Sequence, residues 1–478
     1  MIAFVTGWDA ESQPIRAAVD QLIVLGIPFD GWETQTLSPD IPDDLSRFDG
    51  MVIDGERFRN CTPREAEKLE AFAREKYLLI IDADSLRGSG CDNEYRAEID
   101  FNIFAAASGL PRPGMPPRPT AEIMPWYLRR MEEFHRACLH EDKHLHEFHL
   151  HSTASLLAAE AEGLLPPEWP HRIDEILDSM GALIRTPAYF DEIACWGFAR
   201  TAARRCGYAR FLEKALHEAE HMLTAMCRAD DGLLSMGGWS DDPLFLRHRE
   251  SPFFGSTWST NCWRNLHLNE ELHYYGAAFP ALSMASGDMR FLDEALKLMD
   301  HVDRVHRDPA DGLLYHASLH GKPLGFKWGR GNTHALLGAF HMLLLNPDLP
   351  EDVRRRAIDF IDRTGEGLLA TQTARGMWRN VLDRPESVEE TSCTVLIAWI
   401  FAHGIRNGFF RKEKYLDMVR RARRAIQSSS WRGMGAGSCR GTFPSPDLSF
   451  YVRRPQHLFF LPLVIPALTA VDALDARE

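Results

Sequence analysis

The sequence predicts a mainly helical protein: a toroid of helical hairpins, an (α/α)6 barrel, preceded by a small α/β domain. Three observations carry this expectation. From about residue 124 onward, amphipathic helical segments alternate with almost wholly apolar ones. The turns between them repeat, as DGLLSMGG at 231 and DGLLYHAS at 311, with a weaker echo, EGLLATQT, beginning at 366. The first hundred residues instead alternate short apolar strands with helices.

In that first region MIAFVTG reads as a strand and ESQPIRAAVDQLIVLG as an amphipathic helix that stops at Gly26. FDGMVIDG reads as a second strand and LLIIDAD as a third. Between them, TPREAEKLEAFAREKY carries a capping box, Thr62 followed three residues later by Glu65. Alternating strands and helices imply a small parallel sheet, flavodoxin-like or amidotransferase-like in shape. No GxGxxG or P-loop offers a phosphate cradle. The sharp turn with a reactive cysteine that amidotransferases use is not evident either, because ERFRN follows FDGMVIDG. Residues 1–109 are therefore expected to be structural or to mediate assembly. LPRPGMPPRPT, with five prolines in residues 110–120, is too proline-rich for a helix and marks a stiff connection over 110–123.

The helical region is expected to fill residues 124–478. FLEKALHEAEHMLTAMCRA, FLDEALKLMDHVDRVHRD and DVRRRAIDFIDRTG each have one apolar face. YYGAAFPALSMASG, THALLGAFHMLLL and TVLIAWIFAHGI are apolar all round. A helix with one polar face borders solvent, and one without is buried on every side. Alternating the two makes an outer ring around an inner ring, with room for roughly six hairpins. The loops before the inner helices then gather at one end as a bowl, a natural ligand site.

Composition narrows the function. The chain has 478 residues, 45% hydrophobic and 26% charged, as in a globular protein. Acidic residues outnumber basic ones, 68 to 54, which disfavours nucleic acid as a partner. Nine dispersed cysteines without a CxxC pair suit a reducing compartment. No signal peptide is evident at the N-terminus, and the longest apolar run, LFFLPLVIPALTAV, is too short to span a bilayer. A cytoplasmic protein without membrane contact is expected; self-association is left open.

Four constellations fall at the inner-helix mouths. HLNEELH places Glu270 and Glu271 about 100° apart on a helix, so that one of them can face the bowl. Acids there also suit the helix dipole. Trp263 and Arg264, just upstream, bring an indole and a cation to the same rim. FKWGRGNTHALLGAF sets Trp328, Arg330, Asn332 and His334 within seven residues; an arginine fork suits a carboxylate, unless it pairs with a structural acid. Trp378 and Glu390 lie in MWRNVLDRPESVEETS, where Thr and Ser capping accounts for part of the pattern. Asp191 and Glu192 open an apolar helix one hairpin before Glu270, so carboxylates from adjacent inner helices can converge for acid/base work on a glycoside; capping explains either residue equally well. His267, His273, His316 and His334 are further bowl candidates. The histidine-rich FHRACLHEDKHLHEFHLH sets His140, His144 and His151 on one helix face, but no HExxH or placed cysteine completes a site, and no metal or cofactor is expected.

DGLLYHAS, WGRGNTHALLGAF, VLDRPESVEETS and the CRGTF and YVRRP segments, in that order, resemble the unsaturated glucuronyl and rhamnogalacturonyl hydrolases, glycoside hydrolase families 88 and 105. The resemblance implies an (α/α)6 barrel. It also implies metal-free, exo-acting removal of a 4,5-unsaturated uronic acid from an oligosaccharide by hydration of an enol ether. The catalytic acid of such enzymes is an aspartate at the position of Glu270, with a second near Asp191 or Glu192. It must hold its proton near neutral pH, which burial or a neighbouring carboxylate achieves. The family's W-x-R-G-N-x-W stands here as Trp328, Arg330, Asn332 and His334; by resemblance Trp328 stacks on the sugar and Arg330 binds the uronate. The longer Glu carboxylates also suit a saturated β-glucuronidase of a related barrel. The histidines keep a sugar epimerase open, and a non-catalytic sugar-binding protein is the remaining alternative.

Overall fold

A computed structural model of the chain describes residues 2–5, 34–38, 40–48, 50–54, 57, 60–81, 117, 119–125, 216–217, 219–220, 222–224, 228–234, 265–387, 389–429, 439–440, 444, 448, 451, 456–457 and 464–476. Near the N-terminus, β1 (Ile2–Val5), β2 (Thr34–Ser38), β3 (Gly50–Asp54) and β4 (Tyr77–Ile81) form a parallel sheet in the order β2-β1-β3-β4. Ile2 pairs with Gly50 and Met51 with Leu78, and Val5, Met51, Ile53, Phe72 and Leu78 share a small apolar core. Helix α1 (Pro63–Glu75) starts at the capping box read from the sequence: the Glu65 N–H donates to Thr62 Oγ1, and the Thr62 N–H to Glu65 Oε2. The strand TQTLS was not anticipated. It has no apolar run to announce it, as befits its edge position among the described strands, and its pairing with β1 defines it. The amphipathic helix expected over ESQPIRAAVDQLIVLG lies outside the described residues. The connection expected over 110–123 ends in helix: residues 120–125 are helical, with the N–H groups of Glu122 and Ile123 reaching the Pro119 carbonyl.

From residue 265 the expected alternation of helix types is present. The short strand β5 (Leu266–Leu268) leads into α2 (Glu271–Ser286), and α3 (Arg290–His301) returns beside it, ending in a wider turn over Val302–His306. Strands β6 (Ala317–Leu319) and β7 (Lys322–Leu324) lead to α4 (Gly329–Leu345), followed by α5 (Glu351–Thr371). The two-residue strands β8 (Trp378–Arg379) and β9 (Glu389–Glu390) precede α6 (Thr391–Arg406), followed by α7 (Lys412–Ser429). After a pair of two-residue strands, β10 (Cys439–Arg440) and β11 (Gln456–His457), comes α8 (Val464–Asp475).

Burial follows the sequence pattern. Thr391 to Ile405 of α6 are all buried, whereas α5 buries Val353, Ala357, Phe360, Ile361, Thr364 and Leu368 and exposes Arg355, Asp359 and Arg363. Each core Leu or Phe contributes roughly 2 kcal/mol by leaving water, so the one-sided and all-round patterns dictate outer and inner places. Helix α4 packs against both α2 and α6, while α3, α5 and α7 each lie against the inner helix before them in sequence. The α2–α4 crossing is tight: a Cβ on Gly338 would stand 2.0 Å from the Leu272 carbonyl oxygen.

The DGLL turns at 231 and 311 close as expected, with Arg228 bridging Leu234 and Arg307 bridging Leu314. Gly232 and Gly312 take φ of 86° and 75°, a conformation that a side chain disfavours. The proposed echo EGLLATQT is not a turn. Residues Glu366–Thr371 complete α5, and the chain reverses later, where Thr373 N–H bonds the Met377 carbonyl around Gly376. The physical reason is one methylene. Asp231 and Asp311 accept the N–H two residues on, at 3.2 and 3.0 Å. Glutamate is a good helix former and a poor partner for that short loop, so the helix continues.

Candidate active site

HLNEELH divides into three pieces. Leu266–Leu268 is a strand paired antiparallel with Ala317–Leu319, Asn269 and Glu270 turn, and Glu271 begins α2. Asn269 fixes the turn: its backbone N–H bonds the His316 carbonyl at 3.0 Å and its side-chain amide bonds the Tyr315 carbonyl at 3.2 Å. The two glutamates then point to different surroundings, as their offset requires. The Glu270 side chain is 12% exposed and its Oε1 lies 3.2 Å from His316 Nε2. Its Oε2 is shielded and makes no hydrogen bond among the described residues. Glu271 is 1% exposed, with Oε1 accepting the Leu268 N–H at 3.1 Å and Oε2 3.5 Å from His267 Nδ1.

His316 is the hub beside Glu270. Its Nδ1 lies 2.8 Å from Tyr451 Oη, and Tyr451 Oη also accepts the Phe326 N–H at 3.3 Å. With Phe326 donating to that oxygen, the tyrosine proton goes to Nδ1, which leaves Nε2–H to donate to Glu270. The His316 ring lies 4.5 Å from the Trp328 ring, and the Arg330 guanidinium sits 4.4 Å from the same indole on a cation–π contact. Trp328 is anchored by its Nε1–H to Asn380 Oδ1 at 2.8 Å, and Asn380 Nδ2 in turn bonds the Tyr451 carbonyl at 2.7 Å. Glu270, His316, Trp328 and Arg330 thus form one connected group.

His334 flanks it, stacked 6.5 Å from Trp328 and edge-on to His273 at 5.2 Å. Asn332 is fully buried, its amide clamping the DGLL turn: it accepts the Leu314 N–H and donates to the Leu314 and Trp328 carbonyls. That geometry positions the loop and presents no group to a ligand. Trp378 is also fully buried, with its Nε1–H on the Leu368 carbonyl of α5, a core tryptophan without access to a sugar. Glu390 is buried at the mouth of α6 and accepts the Ser392 hydroxyl. His267 is buried on the far side of Glu271, facing Asp231. Asp191, Glu192, Trp263, Arg264 and the histidine run from His135 to His151 lie outside the described residues.

Burial pushes the Glu271 carboxyl above the usual carboxylate range, with His267 opposing. Burial alone would lower His267; Glu271, and then Asp231, more than reverse this, and its net shift is upward. Lys327 behaves likewise. Burial disfavours its charge, but Asp308 and Asp311 hold it well above an ordinary lysine. That cation pins the loop carrying Trp328 to the DGLL turn at 311. Tyr451, Asn380 and Lys327 were not singled out from the sequence. Only the YVRRP segment hinted at the tyrosine, which reaches the site from more than a hundred residues downstream.

A held carboxyl thus stands beside an indole and a guanidinium at the mouth of paired helices. Residues 276–459 match the family model described as Glycosyl Hydrolase Family 88, and the chain is a glycoside hydrolase. The fold is similar to that of a possible member of glycoside hydrolase family 105 from Klebsiella pneumoniae, with a TM-score of 0.58 at 17% identity over 76% of this chain and 95% of that one. A possible family 105 member from Salmonella enterica gives 0.55 at 17% identity, over 75% and 95%. A family 88 glycosyl hydrolase from Bacteroides vulgatus gives 0.51 at 14%, over 74% and 99%. A search of curated protein sequences finds no match.

Proposed function

We propose that the enzyme removes a terminal 4,5-unsaturated uronic acid from oligosaccharides by acid-catalysed hydration. The observation that carries this is Glu270 held through Oε1 by His316, with Oε2 unbonded, in contact through His316 with Trp328 and Arg330. In this reading Glu270 gives its proton from Oε2 to C4 of the enol ether. Water adds its hydroxyl at C5, and its remaining proton returns to Glu270. The hemiketal so formed opens, breaking the bond to the aglycone and releasing it with a keto sugar. His316, fixed by Tyr451, positions the acid. Trp328 offers the ring a stacking face, and Arg330 is the cation for the uronate carboxylate. Asp191 or Glu192 is the partner carboxylate, while Glu271, turned toward His267, supports from behind.

The same reading extends the helix alternation to a closed ring of six hairpins over residues 124–478, joined through 110–123 to an α/β domain at 1–109 of flavodoxin-like shape and structural role, in a cytoplasmic enzyme. Among the described residues no helix is long and apolar enough to cross a membrane.

The test is optical. Enzyme added to an unsaturated uronyl disaccharide should abolish the ultraviolet absorbance of the conjugated double bond. Glu270→Gln should lower kcat about 1,000-fold at an unchanged melting temperature. Release of plain glucuronate from a saturated disaccharide, with the unsaturated one untouched, would replace this reading by the saturated glucuronidase. Near-normal turnover by Glu270→Gln would remove Glu270 from the role.

A further inference from the structure

Behind Glu271, on the other side from Glu270, three potential ligands from three separate segments meet. Asp231 comes from the first DGLL turn, His267 from β5 and His301 from the end of α3, and one donor atom of each lies within 4.8 Å of the others. The geometry points to a divalent transition-metal site here, of the kind that takes Zn2+, separate from the sugar chemistry.

Four observations support it. First, the donor edges have the right length. Metal–donor bonds of about 2.0–2.1 Å in a tetrahedral shell put neighbouring donors about 3.3 Å apart. Asp231 turns one oxygen to each imidazole, Oδ1 at 3.5 Å from His267 Nε2 and Oδ2 at 3.2 Å from His301 Nδ1, so its carboxylate spans donor separations near that length. All three donors, one from each residue, lie within 4.8 Å of one another.

Second, these contacts are not hydrogen bonds. His267 is 1% exposed and His301 is 3% exposed, yet among the described residues neither ring nitrogen of His267, nor Nδ1 of His301, makes a hydrogen bond. Buried imidazole nitrogens are normally satisfied, and leaving them bare costs about 1–3 kcal/mol each. A cation at a focus beside Asp231 satisfies His267 Nε2 and His301 Nδ1 together, and leaves His267 Nδ1 to Glu271.

Third, the next layer of groups is what metal-bound histidines use. His267 Nδ1 faces the Glu271 carboxylate at 3.5 Å. His301 Nε2 is 2.9 Å from Ser318 Oγ, which lies 3.0 Å from His306 Nε2. With the Ser318 proton directed to His306, His301 keeps its own proton on Nε2 and turns the Nδ1 lone pair to the focus. Fourth, Asp231 lies at the surface end of the cluster, where an ion can enter and water can take the remaining position.

Two nitrogens, one oxygen and an open position suit zinc better than calcium or magnesium, which favour all-oxygen shells. Bound there, the ion would tie the first DGLL turn to the strand that carries the Asn269–Glu270 turn. Without an ion, the Nε2 and Nδ1 edges of His267 face the Asp231 and Glu271 carboxylates respectively.

The full-length chain, stripped with EDTA, should bind one equivalent of Zn2+ by calorimetry. Its melting temperature should rise with free Zn2+, and Co2+ should give the visible absorption of tetrahedral coordination. Asp231→Asn keeps the turn's acceptor oxygen and is expected to fold; it and His301→Gln should each weaken Zn2+ binding at least about tenfold. Asp311→Asn, at the equivalent place of the next hairpin, should leave it unchanged. Absence of Zn2+ binding to the parent chain would overturn the proposal. So would binding that both cluster variants retain at parental affinity, which would assign it to other histidines such as His140, His144 and His151.

Discussion

The two DGLL hairpins use one turn for two purposes. In both, aspartate caps the N–H two residues on, at 3.2 Å for Asp231 and 3.0 Å for Asp311. In both, a preceding arginine, Arg228 or Arg307, reaches the turn glycine's carbonyl. They part at the aspartate's remaining face. Asp311 meets Lys327, which Asp308 and Asp383 also contact, at 2.6, 2.8 and 3.5 Å. Asp231 meets His267 and His301. A repeat therefore supplies a turn and a carboxylate, and the residue brought opposite decides what they do. A lysine makes a permanent clamp that holds the Trp328 loop. A pair of histidines makes a cluster whose charge depends on what enters it.

Substitutions can break this contrast. Lys327→Met, the largest expected effect, leaves three carboxylates without their cation and should cost about 3 kcal/mol, read as a loss of unfolding free energy in urea. If the loss is below about 1 kcal/mol, the clamp is ornamental and the two hairpins are alike. Asp311→Asn removes one charged partner and should cost about 1.5 kcal/mol. Asp231→Asn, measured in chelator, should cost only about 0.5 kcal/mol, because the turn hydrogen bond survives and no fixed cation is lost. Equal costs for the two would erase the distinction.

The smallest effect lies outside both hairpins. Hydrogen bonds from the Thr62 N–H, Arg57 and the Thr62 hydroxyl hold Glu65 down at about 2. Unfolded, it takes up a proton near 4.5, so between those values the unfolded chain binds more protons. The stability Glu65 contributes is complete above pH 4.5 and is lost as pH falls toward 2. Glu65→Gln should flatten that part of the profile of unfolding midpoint against pH; a profile identical to the parent's would refute the linkage.

Much of this was legible because it is local. The Thr62–Glu65 capping box sits within four residues, and its parts meet in any helix that starts there. The one-sided face of α5 and the all-round apolar run of α6 dictate outer and inner places by burial alone. The DGLL turns and the polar mouths before α2 and α4 are likewise short-range patterns. The misread EGLLATQT shows where local pattern stops: glutamate resembles aspartate in charge, but cannot close the same small ring, so the helix runs on.

By itself, then, the sequence determined the alternation of helices, the turns and the paired glutamates at the mouth of α2. Only the tertiary structure decided which neighbours those groups have. It turned Glu270 toward His316 and Glu271 toward His267, took Asn332 and Trp378 into the core, and brought Tyr451 to His316. The reason is range. Capping, periodicity and turn chemistry act over a few residues, whereas the partner a side chain meets across a helix crossing depends on packing, in which residues far apart in the chain occupy the same few ångströms.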